Sequence, residues 1–140
     1  MHLSTTAKYA INILVLMARN IHIQYSSKVL SDELKIPYKY LTKVMTKLVQ
    51  SDIVVSIKGK YGGFKISKDI NNLKMIDIII VFDDVNNKRC VLVDTACEFE
   101  EKCILHEKWQ KPRCAVDDFF AQTTLLELIE EKSLYGNIST

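Results

Sequence analysis

Apolar residues near the start of the chain recur at helical spacing: Tyr9, Ala10, Ile13, Leu14, Leu16 and Met17 share one broad face. The pattern predicts a helix to about Asn20, with Ser4 or Thr5 placed to cap its first turn. After a short polar stretch, Ser27 can cap a second helix through Lys35, with Val29, Leu30 and Leu34 turned inward. Ile36-Pro37 then marks a turn, and Pro37 suits the first position of a third helix because its missing N–H costs nothing there. That third helix, to about Ser51, carries the sharpest pattern. Leu41, Val44, Met45, Leu48 and Val49 form an apolar stripe, and Tyr38, Lys39, Thr42, Lys43, Thr46, Lys47 and Gln50 are left outside it.

The period then changes from helical to extended. Ile53 to Ile57 and Phe64 to Ile66 read as two strands, joined by KGKYGG, whose glycines Gly59, Gly62 and Gly63 can take positive φ. A polar stretch from Ser67 to Asn72 precedes a predicted helix from Lys74 to Phe82, and Asp83 to Arg89 is loop-like. The stretch CVLVDTACEFEEKC follows, then a helical region, ILHEKWQKPRCAVDDFFAQ, interrupted by Pro112. Within it Leu105, Trp109, Val116 and Phe119 trace a narrow seam suited to pairing with a partner helix. Thr123 or Thr124 can cap a last helix from Leu125 to about Lys132.

Three helices followed by a two-stranded ribbon form the layout of a winged helix-turn-helix. The fold class expected is mainly α with a small β-ribbon, a winged helix-turn-helix domain followed by a long C-terminal dimerisation helix. The corresponding divisions are 1–82 for the reading head, 83–104 for a cysteine-bearing loop, 105–134 for the pairing and last helices, and 135–140 for a tail.

Charge sharpens this picture. Residues 1–80 hold twelve Lys and Arg against five Asp and Glu, a net of +7, whereas 81–140 hold seven against twelve, a net of −5. A basic front half suits a polyanionic partner. Lys39, Lys43 and Lys47 on the third helix, with Lys58 and Lys60 on the ribbon loop, supply phosphate neutralisation. Tyr38, Tyr40 and Thr42 offer hydroxyls and apolar edges for positioning or base contact, and Tyr61 and Gly62 complete the loop's candidate DNA surface. A lysine-rich helix face is ordinarily only a solvated face. The lysines on the loop beside it turn the balance toward double-stranded DNA. The longest apolar run, Ile78 to Phe82, is far too short to span a membrane, and no secretory leader pattern opens the sequence. A cytoplasmic location is therefore expected, and no nucleophile–base pair, phosphate loop or carboxylate pair suggests an enzyme or a small-molecule substrate.

Four segments, MHLSTTAKYAI, IPYKYLTKVMTKLVQSDIV, IKGKYGGFKIS and CILHEKW…FFAQTTLLELI, occur in the order seen in the IscR/NsrR-type family of bacterial winged-helix regulators, which the chain resembles over nearly its whole length. The resemblance implies a homodimeric transcription regulator bound to a palindromic promoter site, with crossing long helices. In cysteine-bearing members it implies a 2Fe–2S or related cluster as sensor. Carried over, the ligands are Cys90, Cys97 and Cys103, with His106, three residues after the last cysteine, as fourth. Some members use instead an acidic residue near the N-terminus, where this chain has Lys8. Two departures stand out. Six residues rather than the usual five separate Cys90 from Cys97, and Thr42 occupies a recognition-helix position that is acidic in some members.

The residues read independently leave several sensors open. Thiolates with an imidazole suit an iron–sulfur cluster or zinc. Intervals of six and five residues are too long for the tight C-x-x-C knuckle of a zinc ribbon. Cys103 and His106 lie three apart at a helix start and so share a side. Free cysteines are also ordinary small buried apolar residues. Cys114 is eleven residues past Cys103, on the order of 16 Å along an unbroken helix, and is expected to pack near the pairing seam. The reading is a dimeric repressor with an iron–sulfur sensor. Sensing by cysteine oxidation, a disulfide or a structural zinc is the alternative, and a protein-interaction module or electron carrier is a remote one.

Overall fold

The computed structural model describes residues 3–85 and 103–130. The elements are α1 (Thr5–Arg19), α2 (Ser27–Leu34), α3 (Tyr38–Gln50), β1 (Val54–Ile57), β2 (Gly63–Ile66), α4 (Met75–Phe82), α5 (Ile104–Gln122) and α6 (Leu125–Glu130). A mostly helical chain with one small antiparallel ribbon is what the hydrophobic pattern predicts.

α1 is the central element. Ser4 caps it, its hydroxyl accepting the Ala7 N–H at 3.1 Å. Ala7, Ala10, Ile11, Ile13, Leu14, Val15, Met17 and Ala18 are all buried. The helix packs against α2, α3, α4, α6 and β2. α2 starts one residue earlier than expected, because Ser26 rather than Ser27 is the cap and accepts the Val29 N–H at 3.2 Å. Leu30 is fully buried and Leu34 half-buried, while Val29, expected inside, is 41% exposed. Lys35 ends α2 at φ 54°.

Pro37 is the N-cap of α3 rather than its first helical residue. At ψ 131° its carbonyl still points along the helix and accepts from the Tyr40 and Leu41 amides. The α3 stripe inserts as the spacing predicts: Leu41, Val44, Met45 and Leu48 are buried and Val49 is half-buried. A turn with Asp52 at φ 59° reverses the chain into β1.

The ribbon pairs Val54 with Ile66, Val55 with Lys65, Ser56 with Phe64 and Ile57 with Gly63. Its second edge is also occupied. Tyr25, in the stretch read as a polar connection, exchanges backbone hydrogen bonds with Phe64 at 3.0 and 2.7 Å and has its side chain buried. β2 is therefore held on both sides, by β1 and by the residue just ahead of α2. Of the three loop glycines only Gly59 has positive φ, at 126°. Gly62 and Gly63 are needed for another reason: neither has room for a Cβ. One on Gly62 would meet the Ile57 carbonyl oxygen, and one on Gly63 would lie 2.7 Å from the Tyr25 carbonyl oxygen.

α4 begins at Met75, with the Asp77 carboxylate accepting the Lys74 N–H at 2.9 Å. Met75, Ile78 and Ile79 reach the core, whereas Ile80 is 52% exposed. α5 is one continuous helix through Pro112, and its C-terminal end returns to the reading head through buried Phe120. Backbone bonds from Met75 N to Thr123 O (2.9 Å) and from Leu125 N to Leu73 O (2.8 Å) join the starts of α4 and α6. Thr124 caps α6, exchanging hydrogen bonds with Glu127 at 2.9 and 3.3 Å. Leu125 and Leu128 then enter the same core as α1.

Gly63→Ala forces the β2–Tyr25 contact apart and should cost about 1–3 kcal/mol, read as a lower urea midpoint with an unchanged m-value. Tyr61→Ala removes a side chain that is 83% exposed and should shift stability by less than about 0.5 kcal/mol.

Candidate nucleic-acid interface and cysteine segment

The outward face of α3 carries the residues that its pattern left outside the stripe. Tyr38 and Tyr40 are 58% and 52% exposed, and Lys39 and Lys43 are exposed beside them. No side chain caps the first turn of α3, the positive end of the helix dipole, where negative charge is favoured. Thr42 is half-buried, with its hydroxyl donating to the Lys39 carbonyl at 2.9 Å, and Thr46 donates likewise to the Thr42 carbonyl at 2.8 Å. Thr42 therefore offers a lone pair and a methyl group to a groove, its proton being used within the helix.

At the wing, Lys58, Lys60 and Tyr61 are exposed and Gly62 is half-buried. The Lys60 ammonium lies 5.7 Å from the Tyr61 ring centroid, a cation–π pair at the tip. A Gly62 N–H to Gly59 O bond of 3.0 Å closes the turn beneath it. The structure also assigns Lys47 a neighbour the sequence did not reveal: its ammonium sits 5.6 Å from the centroid of Phe82, at the end of α4.

Two of the four proposed sensor ligands fall among the described residues, and Cys90 and Cys97 lie outside them. Cys103 is the N-cap of α5 and half-buried. His106, one turn on and also half-buried, has Nε2 2.7 Å from the Gln110 side-chain nitrogen. Among the described residues no three Cys, His, Asp or Glu side chains gather as a metal group. Cys114 is exposed in the single chain. At helical spacing it falls on the side opposite Leu105, Trp109 and Val116, which are all half-buried. Phe119 of the same predicted seam is 51% exposed and leans on Phe120, with ring centroids 5.3 Å apart. Phe120 itself was missed because the residues of the Phe119-Phe120 pair cannot be told apart by hydrophobicity.

The family model Rrf2, described as an iron-dependent transcriptional regulator, matches residues 3–131. The chain belongs to the Rrf2 family. An Aquifex aeolicus chain assigned as an HTH-type transcriptional regulator is 36% identical, over 94% of this chain and 95% of that one. The regulator IscR of Pectobacterium atrosepticum is 26% identical over 96% and 82%. Among solved structures, CymR, the global cysteine regulator of B. subtilis, superposes with a TM-score of 0.76 at 25% identity, covering 93% of this chain and 97% of that one. T. potens IscR has a TM-score of 0.74 at 17% identity, covering 95% and 89%, a likeness of fold. Rrf2 proteins of this kind are transcription regulators rather than enzymes, and this chain is a winged-helix, DNA-binding regulator. No helix among its described residues is long and apolar enough to cross a membrane.

The exposure of Cys114 gives a direct check. Brief alkylation of the reduced native protein, followed by peptide mass spectrometry, should label Cys114 ahead of half-buried Cys103; the reverse order would place Cys114 in a covered seam.

Proposed function

We propose that this Rrf2 protein is a homodimeric repressor whose two α3 helices read palindromic half-sites. Its promoter binding responds to an iron–sulfur cluster, 2Fe–2S by preference, held by Cys90, Cys97, Cys103 and His106. The observation that carries the DNA part is the shared exposure of Lys39, Lys43, Tyr38 and Tyr40 on α3 with Lys58, Lys60 and Tyr61 on the wing. A recognition helix in the major groove with a basic loop beside it needs that arrangement. Lysines at both places neutralise phosphates, and the tyrosines and Thr42 meet base edges and sugars. Leu105, Trp109, Val116 and Phe119 are proposed to form the pairing seam, which sets half-sites about one DNA turn apart.

The chemistry of Cys103 and His106 supports the ligand assignment. A ligating histidine typically donates its second ring N–H to a neighbouring acceptor. Gln110 stands at Nε2. With its amide turned so that the oxygen faces the ring, an assignment hydrogen bonding alone decides, it accepts that proton and leaves Nδ1 for a metal. Cys103 introduces α5 directly, so its sulfur chemistry lies at the joint between the cysteine segment and the proposed pairing helix. The cluster, when bound, would make that joint responsive to iron supply and oxidation.

A second reading keeps the DNA surface and replaces the cluster by cysteine oxidation, a disulfide or a structural zinc. The likeness to CymR, a cysteine regulator, favours stating it. The family's description as iron-dependent weighs toward the first.

Anaerobic purification should give a coloured protein with visible charge-transfer bands and equal amounts of iron and sulfide, and Cys97→Ala should be colourless. A colourless wild-type protein with stoichiometric zinc would decide for the second reading. Replacing Lys39, Lys43 and Lys58 together by Ala should abolish tight duplex binding and flatten the slope of log affinity against log salt by roughly 2–3. Unchanged binding would remove these lysines from the interface.

A further inference from the structure

Lys47 has the charge and exposure of a phosphate contact, yet its neighbours give it other work. It lies in the last turn of α3, whereas a recognition helix meets base edges mainly through its N-terminal residues. Its ammonium is instead 5.6 Å from the centre of the Phe82 ring, across the α3–α4 contact. Phe82 is the last residue of α4, and the next residue, Asp83, accepts the Ser4 N–H at 3.0 Å. The end of α4 is thus fastened to the start of α1 on one side and to the end of α3 on the other. The buried stripe of α3 holds most of the helix in place, and the Lys47–Phe82 contact adds a directed restraint at its C-terminal end.

We propose that Lys47 and Phe82 are positioning residues for DNA reading, a brace that sets the angle at which α3 enters the groove, and that Lys47 neutralises no phosphate. The proposal rests on the DNA-reading surface described above. It separates two effects of losing a lysine. A phosphate contact leaves its mark on the salt dependence, about one unit of slope for each contact. A positioning contact weakens binding to a preferred sequence without altering the phosphate count.

The test uses the full chain and a duplex that the wild-type protein itself selects from a random-sequence pool. Lys47→Met keeps the aliphatic stem and removes the charge; Phe82→Leu keeps apolar bulk and removes the ring face. Each should weaken binding to the selected duplex by about two- to fivefold, the range a surface cation–π contact supports. The salt slope should not change, and the double variant should bind no worse than either single one. Lys47→Arg and Phe82→Trp, which keep a cation over a ring, should bind like wild type. Thermal unfolding of each variant, followed by circular dichroism, checks that the fold is kept. A slope reduced by about one in Lys47→Met, or additive losses in the double variant, would overturn the brace while leaving the DNA assignment intact. A wild-type chain that selects no duplex would overturn both.

Discussion

Everything in this molecule depends on the burial of one helix. Eight of the fifteen residues of α1 are buried, including Ala10, Ile13 and Leu14 at 0% exposure, an arc wider than the single dry stripe of a surface helix. Five elements contact it: α2, α3, β2, α4 and α6. Three alanines, Ala7, Ala10 and Ala18, are buried along it, where short side chains let neighbours approach closely. Because α1 is shared, the recognition surface and the elements that lead toward the cysteine segment are not independent bodies. Each can shift only by repacking the same core, and close-packed interiors transmit strain rather than absorb it.

The parts of the fold that a residue pattern reveals are those whose neighbours all lie on one side. α3 is the clear case: its stripe, its polar face and its place before a hairpin are legible in thirteen residues, because a half-buried helix must show 3.6-residue periodicity. Tyr25 is the opposite case. Its role is a pair of backbone bonds to Phe64, and backbone groups leave little trace in side-chain identity. The alternation Ile21, Ile23, Tyr25 was the only available signal. The loop glycines can take positive φ, but only Gly59 does; Gly62 is required by the Ile57 carbonyl oxygen within the same hairpin, and Gly63 by the Tyr25 carbonyl oxygen, a contact far away in sequence. Phe82 and Lys47 are likewise far apart in sequence, and no local rule pairs them.

The candidate sites differ in legibility for the same reason. The proposed DNA surface is assembled from a continuous helix and a hairpin tip, so charge and spacing suffice to suggest it. The cysteine segment must be understood through what it joins. One end follows Asp83, whose carboxylate holds the first turn of α1, and the other is Cys103, the residue that starts α5. α4 and α5 are in contact, so the helices on either side of the stretch that carries Cys90 and Cys97 belong to one packed body.

That bracketing bears on the extra residue between Cys90 and Cys97. For any stretch of chain joining two fixed elements, the entropy of the connection grows only logarithmically with length. Each doubling costs about 0.6 kcal/mol, so one added residue costs a small fraction of that. A residue more or less between the two helices therefore changes their stability little, which leaves the Cys90–Cys97 interval free to be set by the needs of the proposed site.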